Sequence, residues 1–164
     1  MNIGDLRNKQ AVFEGIRQDR QSHYRKLERL RNDFVKLFPL SRIATLTFEE
    51  YVEGKKINGK LNTNSFCYWV EWTTKELGKM QGARADKFGL YCDKKTQEYK
   101  FLKKFANANV ALSSIKTEIS SLIQFATNAS LKDIKNIELS PMLKGKILFL
   151  YNPDRFINIF SEGH

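Results

Sequence analysis

From about Asp5 to Phe38 the sequence suits only one kind of regular structure. Phe13, Ile16, Tyr24, Leu27, Leu30, Phe34 and Leu37 recur at three- and four-residue steps or their sums, with Arg and Lys on many of the positions between. A period near 3.6 gathers such residues on one face of an α-helix and would scatter them over both faces of a strand. The stripe thins between Arg17 and His23, where a bend or a break into two helices is the alternative to one long helix. Pro39 ends it. A helix this long must bury its stripe against a body or against another copy of itself.

The remainder, residues 39–164, has the mixed signals of an α+β body. Thr47-Phe48-Glu49-Glu50 is a capping-box pattern, so a short helix is expected to start there and to end by Gly54. Gly54 to Ser65 (GKKINGKLNTNS) is polar, basic and rich in turn formers, and is expected to be a loop. Ser65 should cap a second helix, Phe66 to Leu77, closed by Gly78. A glycine-containing loop follows, Lys79 to Asp86. Lys87 to Asp93 (KFGLYCD) and Gln97 to Leu102 (QEYKFL) read as a hairpin turning at Asp93-Lys94-Lys95-Thr96.

Val110, Leu112, Ile115, Ile119, Leu122, Ile123 and Ala126 mark a helix over Asn107 to Ala126, and Leu131 to Ile137 marks a shorter one. Lys146 to Tyr151 (KILFLY) is nearly all apolar and reads as a buried strand. Phe156 to Phe160 is apolar again, beyond the turn at Asn152-Pro153-Asp154. This order predicts a small, mostly antiparallel sheet covered by helices, with the long N-terminal helix (residues 1–38) appended.

Charge bears most directly on partners. Lys and Arg number 28 against 18 Asp and Glu, a net charge of +10. Such an excess attracts polyanions, because neutralised phosphates release their condensed counterions. Two cysteines, Cys67 and Cys92, and two histidines, His23 and His164, do not make a zinc site, and buried thiols of a reducing cytoplasm are expected. No apolar run approaches a membrane span, and the polar residues 1–10 do not read as a signal peptide.

Gly54 to Lys60 matches GxxxxGK, but Leu61 stands where a phosphate loop needs a magnesium-binding hydroxyl, and a helix precedes it. A flexible basic loop is the better reading. No nucleophile arrangement or paired-carboxylate motif is evident, so neither an enzyme nor a cofactor is expected. Glu71, inside the aromatic helix, is better read as solvated or salt-bridged than as catalytic.

The constellation with chemical content combines aromatic and basic residues. Phe66, Trp69 and Val70 share one face of the second helix, and Tyr68 and Trp72 another, so one face is core and the second is free to stack on a base. Tyr68, Trp69, Trp72 and Tyr91 are the candidate base-reading residues. Lys55, Lys56, Lys60, Arg84, Lys87, Lys94 and Lys95, in the loops around them, are the candidate phosphate contacts. Lys75, Lys79, Lys100, Lys103 and Lys104 extend the set, although any one lysine is more simply a solvated charge.

Ser65 to Asp93 (SFCYWVEWTTKELGKMQGARADKFGLYCD) and Lys146 to His164 (KILFLYNPDRFINIFSEGH) resemble an N-terminal domain found in some McrB-like restriction subunits. The matching pieces are the aromatic helix at Ser65 to Glu71, the glycine loop from Leu77-Gly78 to Gly82, the strand at Lys87 to Tyr91, and Leu150 to His164. Phe34 to Leu46 and Thr47 to Gly54 resemble that family's lead-in. The likeness implies a DNA target-recognition domain of a bacterial defence system, reading double-stranded DNA, methylated DNA included. It would work with an AAA+ motor absent from this chain and a separate nuclease subunit. His164 falls inside the last motif, so the chain reads as either an excised domain or a truncated one. Asn152, where the family often has a bulky residue, and Ala83-Arg84 in the glycine loop depart from the pattern. The alternative is an assembly or regulatory module that self-associates, or docks a partner subunit, through its first helix.

Overall fold

The computed structural model describes residues 3–80 and 85–157 of the chain, with side chains omitted for residues 3–6, 8 and 11. Its first element, α1 (Ile3–Leu37), is one uninterrupted helix, so the thinned stripe between Arg17 and His23 breaks nothing. Pro39 disfavours a helical residue before it, and the chain re-enters a helix only at α2 (Leu40–Ile43), with Pro39 as its N-cap. The end of α1 is anchored: Phe34 and Phe38 are fully buried, and Leu27, Leu30 and Leu37 pack on the core. Val12, Phe13, Ile16 and Tyr24, nearer its start, are exposed.

The capping box forms as expected. Thr47 Oγ1 accepts from Glu50 N, and Glu50 Oε2 accepts from Thr47 N at 2.9 Å, starting α3 (Phe48–Tyr51). Residues 54–65 are not wholly a loop. β1 (Lys56–Ile57) and β2 (Lys60–Leu61) pair antiparallel across Asn58-Gly59, both with positive φ. That is the backbone a two-residue hairpin needs, and Asn-Gly is the dipeptide that supplies it.

The second helix spans its expected range but changes character on the way. Ser65 caps α4 (Phe66–Tyr68), which widens into a π-helical turn (Trp69–Thr73) and then tightens into a 3-10 turn (Lys75–Leu77) before Gly78 at φ 108°. A 3-10 turn (Ala85–Phe88) occupies the start of the expected strand, leaving β3 (Leu90–Cys92) to pair with β4 (Tyr99–Phe101). The sheet structure is antiparallel, as expected, and is divided into two ribbons.

α5 (Ala108–Thr127) buries Leu112, Ile115, Ile119, Leu122, Ile123 and Ala126, whereas Val110 in its first turn stays exposed. α6 (Leu131–Asn136) follows. The expected strand at Lys146 to Tyr151 is instead the end of a helix, α7 (Pro141–Tyr151). Ser140 caps it and Pro141 occupies its first turn, where a missing N–H costs nothing. Lys146, Ile147, Leu148 and Leu150 are all buried, so the run is apolar because the helix is enclosed on most sides. A short enclosed segment has no polar face to reveal its period. Of the apolar run after the Pro153 turn, Phe156 packs on the core, Ile157 is exposed, and residues 158–160 lie outside the described residues.

The core joins these pieces through aromatic rings. Phe34, Phe38 and Phe66 lie with centroids 5.2–5.7 Å apart, and Tyr51 stacks on Phe66 at 5.9 Å. Each such ring contributes about 1.5–3 kcal/mol by burial. The Tyr51 hydroxyl donates to the Phe88 carbonyl at 2.7 Å, so α3 is tied to the entry of β3. Beside it the Cys92 amide donates to the Glu53 carbonyl at 3.0 Å. Gly54 is required at this junction: its φ is +94°, and a Cβ there would stand 2.3 Å from the Cys92 carbonyl oxygen. Gly54→Ala should therefore lower the unfolding free energy by at least ~2 kcal/mol. A urea titration checks it, with Gly59→Ala, whose Cβ would meet open space, as the milder reference.

Candidate nucleic-acid interface

Two lysine-bearing turns are fastened side by side by one glutamine. Gln97 Oε1 accepts from the Lys56 amide at 2.7 Å, while its Nε2 donates to the carbonyls of Gly54 at 3.2 Å and Lys94 at 3.1 Å. The β1–β2 hairpin is thereby held against the turn between β3 and β4. That turn is itself organised by Asp93, whose Oδ1 accepts from the amides of Lys95 and Thr96 at 2.8 Å each. Those backbone donors hold the Asp93 carboxyl below its usual value. Lys55, half-buried, places its ammonium 5.2 Å from the centre of the Tyr99 ring, which stacks on Phe48.

Lys55, Lys56, Lys60, Lys94 and Lys95, singled out from the sequence, therefore come from adjoining turns, with Lys100 on β4 beside them. Lys100 carries an ion pair to Glu98 at 2.7 Å. Lys104 pairs instead with Glu138, at 2.9 Å. Lys87 does not belong to the exposed set. Its side chain is 3% exposed and its Nζ lies 2.5 Å from Glu71 Oε1, so it is turned inward and is not placed to meet a phosphate. Arg84 lies outside the described residues.

Behind the lysines sits a pair of carboxyls that sequence reasoning missed in part. Glu53, two residues beyond α3, is buried; its Oε1 accepts from the Trp72 indole at 3.1 Å and faces the Lys94 ammonium at 3.2 Å. Glu71 hydrogen-bonds to Glu53 as well as to Lys87. Burial and the neighbouring Glu53 raise the Glu71 carboxyl, despite Lys87. Burial also works to raise Glu53, but hydrogen bonds from Glu71, Trp72 and Lys94 outweigh it and leave that carboxyl lowered. The salt-bridged reading of Glu71 holds. No local sequence signal marks Glu53, because its partners lie 18 to 41 positions away.

The aromatics divide unevenly. Phe66 and Val70 are fully buried, and Trp69 is half-buried with its ring edge-on to Phe38 at 6.4 Å, so that face is core. Tyr68 is half-buried, as is Tyr91, which lies between the buried Leu90 and Cys92 on β3. Trp72 alone of the four candidate base-reading residues is classed as exposed, at 47%. Its indole N–H is fixed on Glu53 while the ring meets solvent, which is the disposition a stacking platform needs.

Trp72 and Glu71 owe their placement to the π-helical turn, whose extra residue rotates them relative to α4. Lys146 holds the far end of that turn. Fully buried on α7, its ammonium donates to the carbonyls of Thr74 at 2.8 Å and Gly78 at 2.7 Å. Among the described residues no group of three or more His, Cys, Asp or Glu side chains converges as a metal site, and Cys67 and Cys92 are buried free thiols. No described helix is long and apolar enough to cross a membrane. Compared with protein-family models, curated proteins and solved structures, the chain shows no match.

Burial pushes the Lys146 amine from 10.5 down to about 7. Between those values the unfolded chain binds this proton and the folded chain does not, so its contribution to stability grows as pH rises from 7 and is lost as pH falls through 7. Replacing Lys146 by Met should flatten the dependence of the urea midpoint on pH between 7 and 10. Parallel profiles for the two proteins would show that the amine titrates normally.

Proposed function

We propose that the chain is a DNA-binding domain that grips the phosphate backbone through the two joined hairpins and presents Trp72 to a base. The observation that carries this reading is the Gln97 bridge, which gathers Lys55, Lys56, Lys60, Lys94 and Lys95 on adjoining turns. Lysine ammonium groups and turn amides are the donors that contact phosphates without regard to sequence. The net charge of +10 supports a polyanionic partner over a neutral one.

Trp72 beside the Glu53–Glu71 pair supplies what phosphate contacts lack. A flat ring can stack on an unpaired base, and a carboxylate can accept from an exocyclic amino group such as that of cytosine. With the sequence resemblance, these features favour target recognition within an McrB-like restriction complex, the reading of a modified base included. On this reading the domain is not itself an enzyme, and DNA cleavage and its motor lie in other domains or subunits. A second reading, assembly through α1, is favoured by the exposed Phe13, Ile16 and Tyr24 and is compatible with the first.

Fluorescence anisotropy of labelled duplexes, unmodified and methylated at cytosine or adenine, tests the proposal across a salt series. Lys56→Glu with Lys60→Glu and Lys95→Glu should weaken binding about tenfold or more on every duplex, and each lost contact should lower the log–log salt slope by about 1. Trp72→Ala should instead reduce the preference between duplexes and leave the slope unchanged. No binding by the unaltered protein at low salt would overturn the reading.

A further inference from the structure

The stripe on α1 keeps a stricter order than amphipathicity requires. Phe13, Ile16, Arg20, His23, Leu27, Leu30, Phe34 and Leu37 fall at alternating steps of three and four, the a and d positions of four consecutive heptads. The second half of this seam is already an interface: Phe34 is fully buried, and Leu27, Leu30 and Leu37 pack on the chain's own core. The first half, Phe13, Ile16, Arg20 and His23, lies on the same uninterrupted helix and is exposed. Phe13 is 63% exposed, Ile16 49%, and the flanking Val12 and Tyr24 64% and 66%. A shallow groove of about 330 Å3 runs along it between Phe13 and Tyr24.

The charges of this stretch argue for one occupant. From Val12 to Tyr24 the charged side chains are Glu14, Asp19, Arg17 and Arg20, so with His23 neutral the segment has no net charge in a chain of +10. A polyanion or an acidic partner gains nothing by docking there. A surface that carries equal numbers of both signs around the exposed Phe13 and Ile16 can complement itself, as a two-fold interface requires. Orientation follows from where the rest of the chain sits. The body hangs from the C-terminal end of α1, so parallel pairing would set two basic bodies side by side, while antiparallel pairing puts them at opposite ends. We propose that residues 12–24 form an antiparallel helix pair with a second copy of this chain. Phe13 and Ile16 enter the seam, Arg20 lies in it within reach of Asp19 of the other copy, and Arg17 flanks it toward the other copy's Glu14.

Sedimentation equilibrium of the whole chain across a concentration series tests this. The expected mass approaches twice 19.1 kDa at high concentration, and the Phe13→Glu, Ile16→Glu variant remains at the single-chain mass. Exchange of charges gives a second test that tolerates some fraying of the helix. Arg17→Glu with Arg20→Glu, and Glu14→Arg with Asp19→Arg, should each leave a monomer, and an equimolar mixture of the two should restore the doubled mass. An unaltered chain that stays monomeric at its highest soluble concentration overturns the proposal. So does a doubled mass that survives the Phe13 and Ile16 changes, or charge variants whose mixture fails to associate.

Discussion

Three rings from distant parts of the chain, Phe34, Phe38 and Phe66, meet in the core with Tyr51 stacked against them, and the placement of both surfaces described above follows from that contact. Phe34 and Phe38 fix the end of α1, and therefore the direction in which its uncovered half projects. Phe66 fixes the start of the aromatic helix, five residues before Glu71. Tyr51 fixes α3, two residues before Glu53, and its hydroxyl also holds the Phe88 carbonyl at the entry to β3. The rings contribute area, and the one buried hydroxyl sets register. An apolar cluster tolerates sliding more readily than a hydrogen bond does.

Charge is sorted by the same architecture. Among the acids, Glu53 and Glu71 point inward, Glu50 caps α3, and Glu98 and Glu138 hold single lysines. Lys56, Lys60, Lys94 and Lys95 on the two hairpins keep their exposure, since turns offer long side chains little to pack on. Residues 12–24 of α1 differ in character, with no net charge and with Phe13, Ile16 and Tyr24 exposed, so the two regions suit different kinds of partner. Binding DNA at one and a second copy at the other would place two DNA-binding faces on one assembly, where linked contacts strengthen one another.

Much of the candidate site was legible as residue types and little of it as geometry. Five lysines of the exposed set and Trp72 could be named from composition and helical spacing. Lys87 could not be separated from them, because what turns it inward is Glu71, 16 positions earlier and on another element. Trp69 and Trp72 are three residues apart and look alike in a helical projection. The π-helical turn and the ring of Phe38 decide that one is wall and the other surface. Gln97, on which the whole arrangement of turns depends, has no sequence signature, since its bonds run to the backbone of residues 54, 56, 93 and 94.

Local chemistry in the sequence determined the long helix and its stop at Pro39, the capping box at Thr47, the Ser65 cap, the β3–β4 hairpin and the stripe of α5. Each of these depends on neighbours within about four residues, where propensity, capping and periodicity act directly. Asn58-Gly59 carried the signal for the first hairpin too, although the polar residues around it suggested a loop. Only the tertiary structure decided that Lys146 to Tyr151 is helical, that Glu53 and Glu71 share a site, and that the second half of the α1 stripe is covered while the first half is not. Those outcomes depend on what encloses a segment from outside it, and enclosure is a property of the assembled chain.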